Sequence, residues 1–333
     1  MNTIGTNNFG TIGGTAISAI LGCNPWTSPL GLYLKIRNEA EGGSPNAAME
    51  RGIRFEDSVA YTFASNHPEF KVAHNLSFTD EPQRVKDETI EYLTGSPDRL
   101  LFAPDAKLGD NPIAGLEIKT ASMRNRNNWG PFGTDNIPIY YLCQCQWYLG
   151  FYPYITDWRV AVQFFDDNDQ PLLYGEYIVK RDDELIAKMR ERAVEFWETH
   201  VVTGIPPECD TVDETVCEYV KQRYPDDLGT TEVAGDAENE MVKNYLLAKA
   251  DKERAEAVFE AAKTKLQLVI KDASIFETSF GKITWKKTKG KEIVDYKALV
   301  EFLHPKQEVV DKFKTVKEGY RLFNDRGLKY DEQ

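Results

Sequence analysis

The heptapeptide AGLEIKT, residues 114–120, decides the fold of this chain. Side chains alternate between the two faces of a β-strand, so Glu117 and Lys119 share one face while Leu116 and Ile118 share the other. The stretch therefore predicts a strand, beginning near Ile113, that packs on a core with one face and presents a carboxylate beside an ammonium on the other.

The charged face of this strand suits phosphate chemistry. Glu117 can ligate a hard cation, and Lys119 can orient or help deprotonate an attacking water and offset charge on a phosphate. Asp98 follows the turn Gly95-Ser96-Pro97, about twenty residues before Glu117. This separation suits two neighbouring strands, so a second carboxylate would reach the same metal. The ordinary alternatives stay open: Glu-x-Lys is often a solvated ion pair, and Asp after Ser-Pro is often a turn residue.

The sequence around this strand predicts both helices and further strands. An apolar stripe near period 3.6 predicts a helix from Met49 to about Asn66, and Pro138 begins a second helix that runs to about Gly150. A long amphipathic helix follows, capped by Asp182 or Asp183 and ended by Gly204 and two prolines. The remaining strand-like runs are 74–78, 100–102, 157–165 and 172–179. The order predicts a mixed α/β fold.

Three polar residues on the predicted helices are further candidates. Glu56 lies on the helix whose apolar side is already supplied by its neighbours, and the alternative for it is an ordinary surface glutamate. Gln144 and Tyr148 lie one turn apart, so both can face the same cleft, where Tyr148 would contact DNA. A buried glutamine needs hydrogen-bond partners, and the backbone is the alternative partner for Gln144.

Composition narrows the class of protein. The chain has 333 residues, no apolar run long enough for a membrane helix and no secretion signal, which predicts a cytoplasmic protein. Five cysteines without CxxC spacing argue against a zinc or iron–sulfur site. The net charge of −13 argues mildly against a nucleic-acid partner, although residues 281–333 carry 13 Lys and Arg against 9 Asp and Glu.

The character of the chain changes after Pro225, which predicts a domain over residues 1–225, a linker over 226–236 and an extension over 237–333. A helix over 237–272 carries an apolar stripe, for which packing on the chain's own core is favoured over contact with another subunit or an annealing partner. The segment GKITWKKTKGKEI predicts a β-hairpin with a turn at Lys-Gly. Its basic and aromatic residues suit contact with a DNA strand or, alternatively, a solvated hairpin edge; they are Lys282, Trp285, Lys286, Lys287, Lys289 and Lys291.

Five motifs occur in order: GGTAISAILG, MERGIRFE, GSPDRL, LEIKTA and IPIYYLCQCQWYLGFY. Together they resemble the phage-type exonucleases of the lambda exonuclease and YqaJ viral recombinase family, within the PD-(D/E)xK nuclease superfamily. The resemblance covers roughly residues 8–225. It implies an α/β (α+β) core in which a central mixed sheet is flanked by helices, followed here by the helical and β-hairpin extension.

The resemblance also implies roles for residues at the centre of the site. Asp98, Glu117 and the backbone carbonyl of Ile118 would ligate Mg²⁺, which Mn²⁺ would be able to replace. Glu56 would complete the shell, directly or through water, and help to bind a second ion. Lys119 would act on the nucleophilic water. Gln144 would hold Lys119 or that water in place.

Around this centre the resemblance points to DNA contacts. Thr15 matches a small hydroxyl residue that contacts a DNA phosphate in such enzymes. In some members an arginine shortly before this hydroxyl binds the terminal 5′-phosphate, but residues 6–9, Thr-Asn-Asn-Phe, contain no arginine. The preference for phosphorylated ends is therefore open, with Arg51 or Arg54 as substitutes.

The function implied is hydrolysis of DNA from duplex ends, 5′ to 3′, which leaves 3′ single strands for a single-strand annealing protein. The partners implied are double-stranded DNA ends, that annealing protein and further copies of the chain, as in the ring-shaped homotrimers of some members. The cytoplasm would be that of a bacterial host if the chain is phage-encoded. Two alternatives remain: an endonuclease with the same core, and a non-catalytic DNA-binding protein that retains the fold.

Overall fold

The computed structural model describes residues 10–40, 46–208, 213–290 and 295–315, together with residues 319, 322, 323 and 325. Its contacts form two compact units, Met1–Arg223 and Tyr224–Gln333. The strands are β1 Lys71–Ala73, β2 Val85–Lys86, β3 Thr94–Gly95, β4 Arg99–Phe102, β5 Ala114–Ser122, β6 Asp157–Phe165, β7 Pro171–Lys180, β8 Ile275–Thr278 and β9 Gly281–Thr284. The helices are α1 Gly14–Ile20, α2 Pro29–Ile36, α3 Ala47–Asn66, α4 Ile139–Leu149, α5 Asp183–Phe196, α6 Glu214–Arg223, α7 Asp236–Ile270, α8 Tyr296–Leu303 and α9 Gln307–Asp311.

A five-stranded mixed sheet forms the centre of the first unit. Its strand order is β1-β4-β5-β6-β7, with β5 and β6 parallel and the other neighbours antiparallel. The parallel pair requires a crossover connection, and α4 lies within that connection. Helices pack on both faces of this sheet, so the predicted fold class, a mixed sheet flanked by helices, is confirmed.

The two faces of β5 enter different layers. Leu116 and Ile118 pack with Val59 and Phe63 of α3 in one apolar cluster. The opposite face looks toward the larger core, which α1 and α4 cover. Strand alternation therefore sends Glu117 and Lys119 into a layer between the sheet and α4, where charged groups are costly unless they are paired.

Gly115 shows how tightly this layer is packed. It lies opposite Trp158 of β6, and a Cβ atom at Gly115 would fall 2.1 Å from the indole ring. Trp158 itself is fully buried. Glycine is therefore required at this point of β5, because any side chain would displace an aromatic ring from a close-packed core.

Side-chain caps begin both α3 and α5, and the sequence predicted the second of them. Asn46 caps α3 by accepting from the Met49 N–H at 3.0 Å, and Asp182 caps α5 by accepting from the Leu185 N–H at 3.0 Å. Helix α5 continues as a π-helical turn to Val202, which places the end of this long helix where the sequence predicts it. Among the described residues, no helix combines the length and hydropathy that a membrane crossing requires.

The strand predicted over 74–78 is wrong, because the extended segment is β1 and ends at Ala73. The Asn75 side chain explains the turn that follows. Its Oδ1 accepts from the N–H groups of Ser77 and Thr79, at 2.8 and 3.3 Å, and its Nδ2 donates to the Glu81 carbonyl at 2.5 Å. Such side-chain bonds to nearby backbone compete with a β-ladder.

In the second unit, α7 spans 35 residues and is almost wholly exposed. Its predicted apolar stripe faces outward, with Met241, Phe259 and Val269 each more than 60% exposed. The prediction that the stripe packs on the chain's own core is therefore wrong for the described residues. The described part of this unit offers only a short hairpin and two short helices, which is too little apolar surface to cover so long a helix.

A C-terminal hairpin exists over residues 275–284, and only its second strand lies within the segment 281–293 for which the hairpin was predicted. Strands β8 and β9 pair on either side of Ser279-Phe280, and Gly281 adopts a φ of 128°, which glycine accepts readily. The Thr278 hydroxyl donates to the Gly281 carbonyl at 2.8 Å and accepts from the Phe280 N–H at 3.1 Å. The turn predicted at Lys289-Gly290 is wrong, and residues 285–290 have no regular structure.

His67, just after α3, gives the first unit a pH-dependent contact. Its Nδ1 lies 2.8 Å from a Glu69 oxygen and its Nε2 2.6 Å from a Glu176 oxygen. Burial alone would lower the pKa of His67, but the hydrogen bonds and charges of the two carboxylates outweigh it and raise this pKa. The protonated ring therefore stabilises the fold below the unfolded pKa of about 6.5, and this contribution is lost as the pH rises through the raised folded pKa.

We accordingly expect His67→Gln to lower the melting temperature more at about pH 6 than at about pH 9. Thermal unfolding of the wild type and the variant in both buffers measures this difference. His74→Gln provides a matched histidine control elsewhere in the same unit. Equal losses at the two pH values would show that the carboxylates do not hold a proton on His67.

Candidate active site

Glu117 and Lys119 form a buried ion pair on β5. Lys119 Nζ donates to Glu117 Oε1 at 2.5 Å, and the side chains of Glu117 and Lys119 are only 1% and 16% exposed. The ammonium also lies 4.7 Å from the centre of the Tyr141 ring, which is a cation–π distance. The predicted shared face is thus present, and the pair is buried rather than solvated.

Asp98 joins this pair through the backbone of β5. It lies just before β4, the strand next to β5, and its Oδ2 accepts from the Ile118 N–H at 2.7 Å. Burial raises the pKa of Asp98, against the opposing effects of the Lys119 charge and the Ile118 N–H. The structure therefore brings together the two carboxylates and the lysine that the sequence placed at the centre of the site.

The single ammonium of Lys119 does not balance the two carboxylates, Asp98 and Glu117. Burial, followed by the negative charge of Asp98, raises the pKa of Glu117 to about 8, although Lys119 opposes both effects. The same carboxylates raise the pKa of Lys119, although burial alone would lower it, so its ammonium keeps its proton. Glu117 Oε2 is buried and has no hydrogen-bond partner among the residues that the structure describes.

An unpartnered carboxylate oxygen beside a second carboxylate fits a bound Mg²⁺. This ion takes oxygen ligands and usually binds through one or two carboxylates while keeping several waters or substrate phosphates. Within the described ranges, no three His, Cys, Asp or Glu side chains form a complete ligand group. Asp98 and Glu117 are thus suited to a magnesium site that the substrate completes.

Glu56 reaches the edge of this cluster, where Arg99 holds it. Arg99 is 4% exposed, and its Nη1 donates to Glu56 Oε1 at 2.8 Å and to the Asp98 carbonyl at 2.6 Å. Its Nη2 donates to Asp57 at 2.5 Å. The Glu56 charge still contributes to raising the pKa of both Asp98 and Glu117, so Glu56 is close to the centre, but its carboxylate is engaged by Arg99.

Sequence reasoning missed Arg99 as a site residue. A signal was present, since this arginine follows Asp98 directly and begins an otherwise apolar strand, Leu100-Leu101-Phe102. A charged residue in such a strand needs a partner of opposite charge. Tyr141 was also missed, and its signal is its position one helical turn before Gln144, which turns both residues toward the same side of α4.

Gln144 and Tyr148 connect α4 to the turn before Asp98. Gln144 Nε2 donates to the Tyr148 hydroxyl at 3.1 Å, and that hydroxyl donates to the Ser96 carbonyl at 3.1 Å. The partner of Gln144 is thus a side chain rather than the backbone. Tyr148 is 3% exposed, and a Cβ at Gly14 would lie 2.8 Å from its ring. The ring is enclosed in the core and supports the Ser96 turn, and DNA contact by Tyr148 stays a prediction.

The other predicted contact residues are not part of this buried cluster. Thr15 is exposed in the first turn of α1. Arg51 and Arg54 form ion pairs with Asp169 in the turn between β6 and β7. The stretch over residues 6–9, where a 5′-phosphate anchor was expected, lies outside the described residues.

The basic residues of the extension belong to the second unit. Trp285 is 45% exposed, and its backbone N–H donates to the Ser274 carbonyl at 3.1 Å. Lys286 and Lys287 follow it and are exposed. Lys291 lies outside the described residues. DNA contact by this segment stays a prediction.

The buried carboxylates and lysine, with Gln144 on the adjoining helix, occur in the order of the five motifs. Residues 8–155 match the YqaJ-like viral recombinase domain family. This match confirms the resemblance to the YqaJ viral recombinase family that the motifs predict. The matched residues include the whole cluster described above, from Glu56 to Tyr148.

The chain is also homologous to YqaJ of Bacillus subtilis strain 168, an uncharacterized protein, with 27% identity over 264 residues that cover 79% of this chain and 76% of YqaJ. Among solved structures, an alkaline exonuclease from Laribacter hongkongensis is 18% identical, with a TM-score of 0.42 over 65% of this chain and 94% of that one. A phage-related exonuclease from Haemophilus somnus 129PT is 16% identical, with a TM-score of 0.42 over 60% of this chain and 100% of that one.

Proposed function

We propose that this chain is a Mg²⁺-dependent DNA exonuclease that acts in recombination. The observation that carries the proposal is the buried cluster of Asp98, Glu117 and Lys119, in which one carboxylate oxygen lacks a partner. Two carboxylates and an ammonium in a water-poor layer suit phosphodiester hydrolysis better than they suit stability, because buried ion pairs contribute little net free energy to folding.

The residues of the chain would divide the work as follows. Asp98 and Glu117 would hold Mg²⁺, with the Ile118 carbonyl as a further ligand. Bound Mg²⁺ lowers the pKa of a coordinated water and offsets charge on the phosphate. Lys119 would donate hydrogen bonds to the attacking water or to a phosphate oxygen, and its raised pKa favours this electrostatic role over the removal of a proton.

The surrounding residues would act by position. Arg99 would hold Glu56 and the Asp98 backbone, so that the carboxylates keep their places before a cation binds. The Gln144–Tyr148–Ser96 hydrogen bonds would support the turn that leads into Asp98. Because these contacts exist in the free protein, the site would need little rearrangement on binding DNA.

The finer features of the proposal rest on the family match and the resemblance in the motifs. The enzyme would degrade one strand from a duplex end in the 5′ to 3′ direction and leave a 3′ single strand for an annealing protein. It would work as a homo-oligomer, with a ring-shaped trimer as the arrangement that explains processive degradation. Mn²⁺ would substitute for Mg²⁺.

A comparison of DNA forms tests the proposed function. The purified protein is incubated with a linear duplex labelled at the 5′ end and with a closed circle, each with Mg²⁺ and with a chelator. We expect loss of the linear duplex with Mg²⁺ only, and an intact circle. Cutting of the circle would establish an endonuclease instead, and binding without loss of either form would establish a non-catalytic DNA-binding protein.

A further inference from the structure

Three arginines surround the acidic turn that joins β6 to β7. Arg51 and Arg54 lie on α3, and Arg124 lies in the 3₁₀ turn Met123–Asn128 that follows β5. Arg51 Nη1 and Arg54 Nη2 lie 3.0 and 2.9 Å from the two oxygens of Asp169. Arg124 pairs with Asp167 of the same turn.

This arginine cluster adjoins the candidate active site. Strands β5 and β6 run parallel with Ser122 opposite Phe165, so the 3₁₀ turn and the acidic turn leave the sheet at the same edge. Glu56, whose carboxylate is bound by Arg99 at the edge of the buried cluster, lies on α3, the helix that also carries Arg51 and Arg54. A DNA strand at the active site would therefore pass close to these arginines.

The ion pairs of the turn are not what holds its shape. Asp166 does that, because its Oδ1 accepts from the N–H groups of Asn168 and Gln170, each at 2.8 Å, and its own N–H donates to the Gln170 carbonyl at 3.0 Å. Two of the three pairs are largely exposed, since Arg54, which pairs with Asp169, and Arg124, which pairs with Asp167, are 58% and 75% exposed. Exposed pairs of this kind contribute about 0–1 kcal/mol.

Arg51 has donor capacity that the protein does not use. Its side chain is 13% exposed and lies over the Phe165 ring, 5.5 Å from the ring centre. Its Nε is buried and has no hydrogen-bond partner among the described residues. A guanidinium group matches a phosphate as well as it matches a carboxylate, through two parallel hydrogen bonds.

We propose that Arg51, Arg54 and Arg124 bind a phosphate of the DNA strand beside the active site, and that Asp167 and Asp169 occupy the arginines until DNA displaces them. The proposal rests on the proposed function only in taking DNA as the ligand. It explains how a chain with a net charge of −13 can bind DNA, since the three positively charged side chains are present at the site and are paired with the two aspartates in the free protein.

Fluorescence anisotropy of a labelled duplex, titrated in EDTA at several salt concentrations, tests the proposal without DNA cleavage. We expect Arg54→Gln with Arg124→Gln to weaken binding at least about tenfold and to reduce the salt slope by about 1 to 2. Lys188→Gln with Arg192→Gln on α5 is the matched control, because it removes the same charge from another exposed surface. Equal effects of the two double variants would overturn the arginine site.

The acidic turn is tested in the same assay. We expect Asp167→Asn with Asp169→Asn to tighten binding several-fold, because the competing carboxylates are gone. Asp105→Asn with Asp110→Asn makes the same charge change in the loop that precedes β5, at the opposite end of that strand. If both pairs of substitutions tighten binding equally, the turn does not compete with DNA.

Three forms of DNA separate the sources of the phosphate: a 5′-phosphorylated duplex, a 5′-hydroxyl duplex and a closed circle. A loss confined to the phosphorylated end would assign the arginines to the terminal phosphate, and an equal loss on all three would assign them to internal phosphates. Either result supports the proposal. Failure of the arginine site is distinguishable from failure of the proposed nuclease function. Binding that depends on the arginines, without degradation of DNA, would contradict only the nuclease function. Degradation of DNA that is unchanged in the arginine variants would contradict only the arginine site.

Discussion

Replacing Asp98 with Asn is expected to reduce Mg²⁺-dependent degradation of a linear duplex by more than about a hundredfold, since even groups that only support metal ligands cost 10–100-fold when removed. The Asn side chain keeps an oxygen that can accept from the Ile118 N–H, 2.7 Å away in the wild type. It lacks the negative charge that a cation requires. The rate of loss of a labelled duplex measures the effect.

The same variant separates metal binding from folding. Without metal, its melting temperature is expected to equal or exceed that of the wild type, because the charge beside Glu117 is gone. Mg²⁺ at about 100 times its dissociation constant should stabilise the wild type by about 2.7 kcal/mol and the variant much less. Asp105→Asn, on an exposed loop, is the control. Full activity of the Asp98 variant would remove this residue from the mechanism.

Lys119→Met is expected to lower both activity and stability. Loss of the ammonium removes a preorganised donor, which typically costs about 10²–10³ in kcat. It also leaves the buried Glu117 without its partner at 2.5 Å, and breaking a buried pair from one side costs about 3–5 kcal/mol. Single-turnover degradation rates and thermal unfolding measure the two effects.

A double variant distinguishes the two effects of Lys119. Adding Glu117→Gln to Lys119→Met should recover most of the stability, because no unpaired charge remains, while activity stays lost. Lys180→Met is the matched control, since Lys180 pairs with Asp157 at an exposed position where the loss should stay below about 1 kcal/mol. An unchanged melting temperature in the single variant would mean that Glu117 does not depend on Lys119.

The sequence was sufficient where periodicity determines the structure. The alternation of AGLEIKT placed Glu117 and Lys119 on one face, and the stripe of α3 and the capping Asp182 gave helix bounds close to those observed. These features depend on neighbours within a few residues. The same reasoning failed at 74–78, where one asparagine side chain takes over the backbone hydrogen bonds.

Contacts between distant residues were beyond reach of the sequence. Asp169 pairs with Arg51, which is 118 positions earlier in the chain. The sequence of the turn does not indicate which arginine is its partner. Arg99 was readable as a charge in an apolar strand, but its partners Glu56 and Asp57 lie on a helix more than forty positions earlier. The burial of Tyr148 was not predicted, because its neighbour Gly14, which makes room for the ring, comes from the first helix of the chain.

The hydrogen bond from the Ile118 N–H to Asp98 has a spectroscopic consequence. An amide proton bonded to a carboxylate changes its magnetic environment when that carboxylate gains a proton or binds a cation. The NMR resonance of the Ile118 amide is therefore a built-in reporter of the charge state of Asp98. Titration with Mg²⁺ in the absence of DNA would make occupancy of the site visible at one backbone position, independently of any catalytic assay.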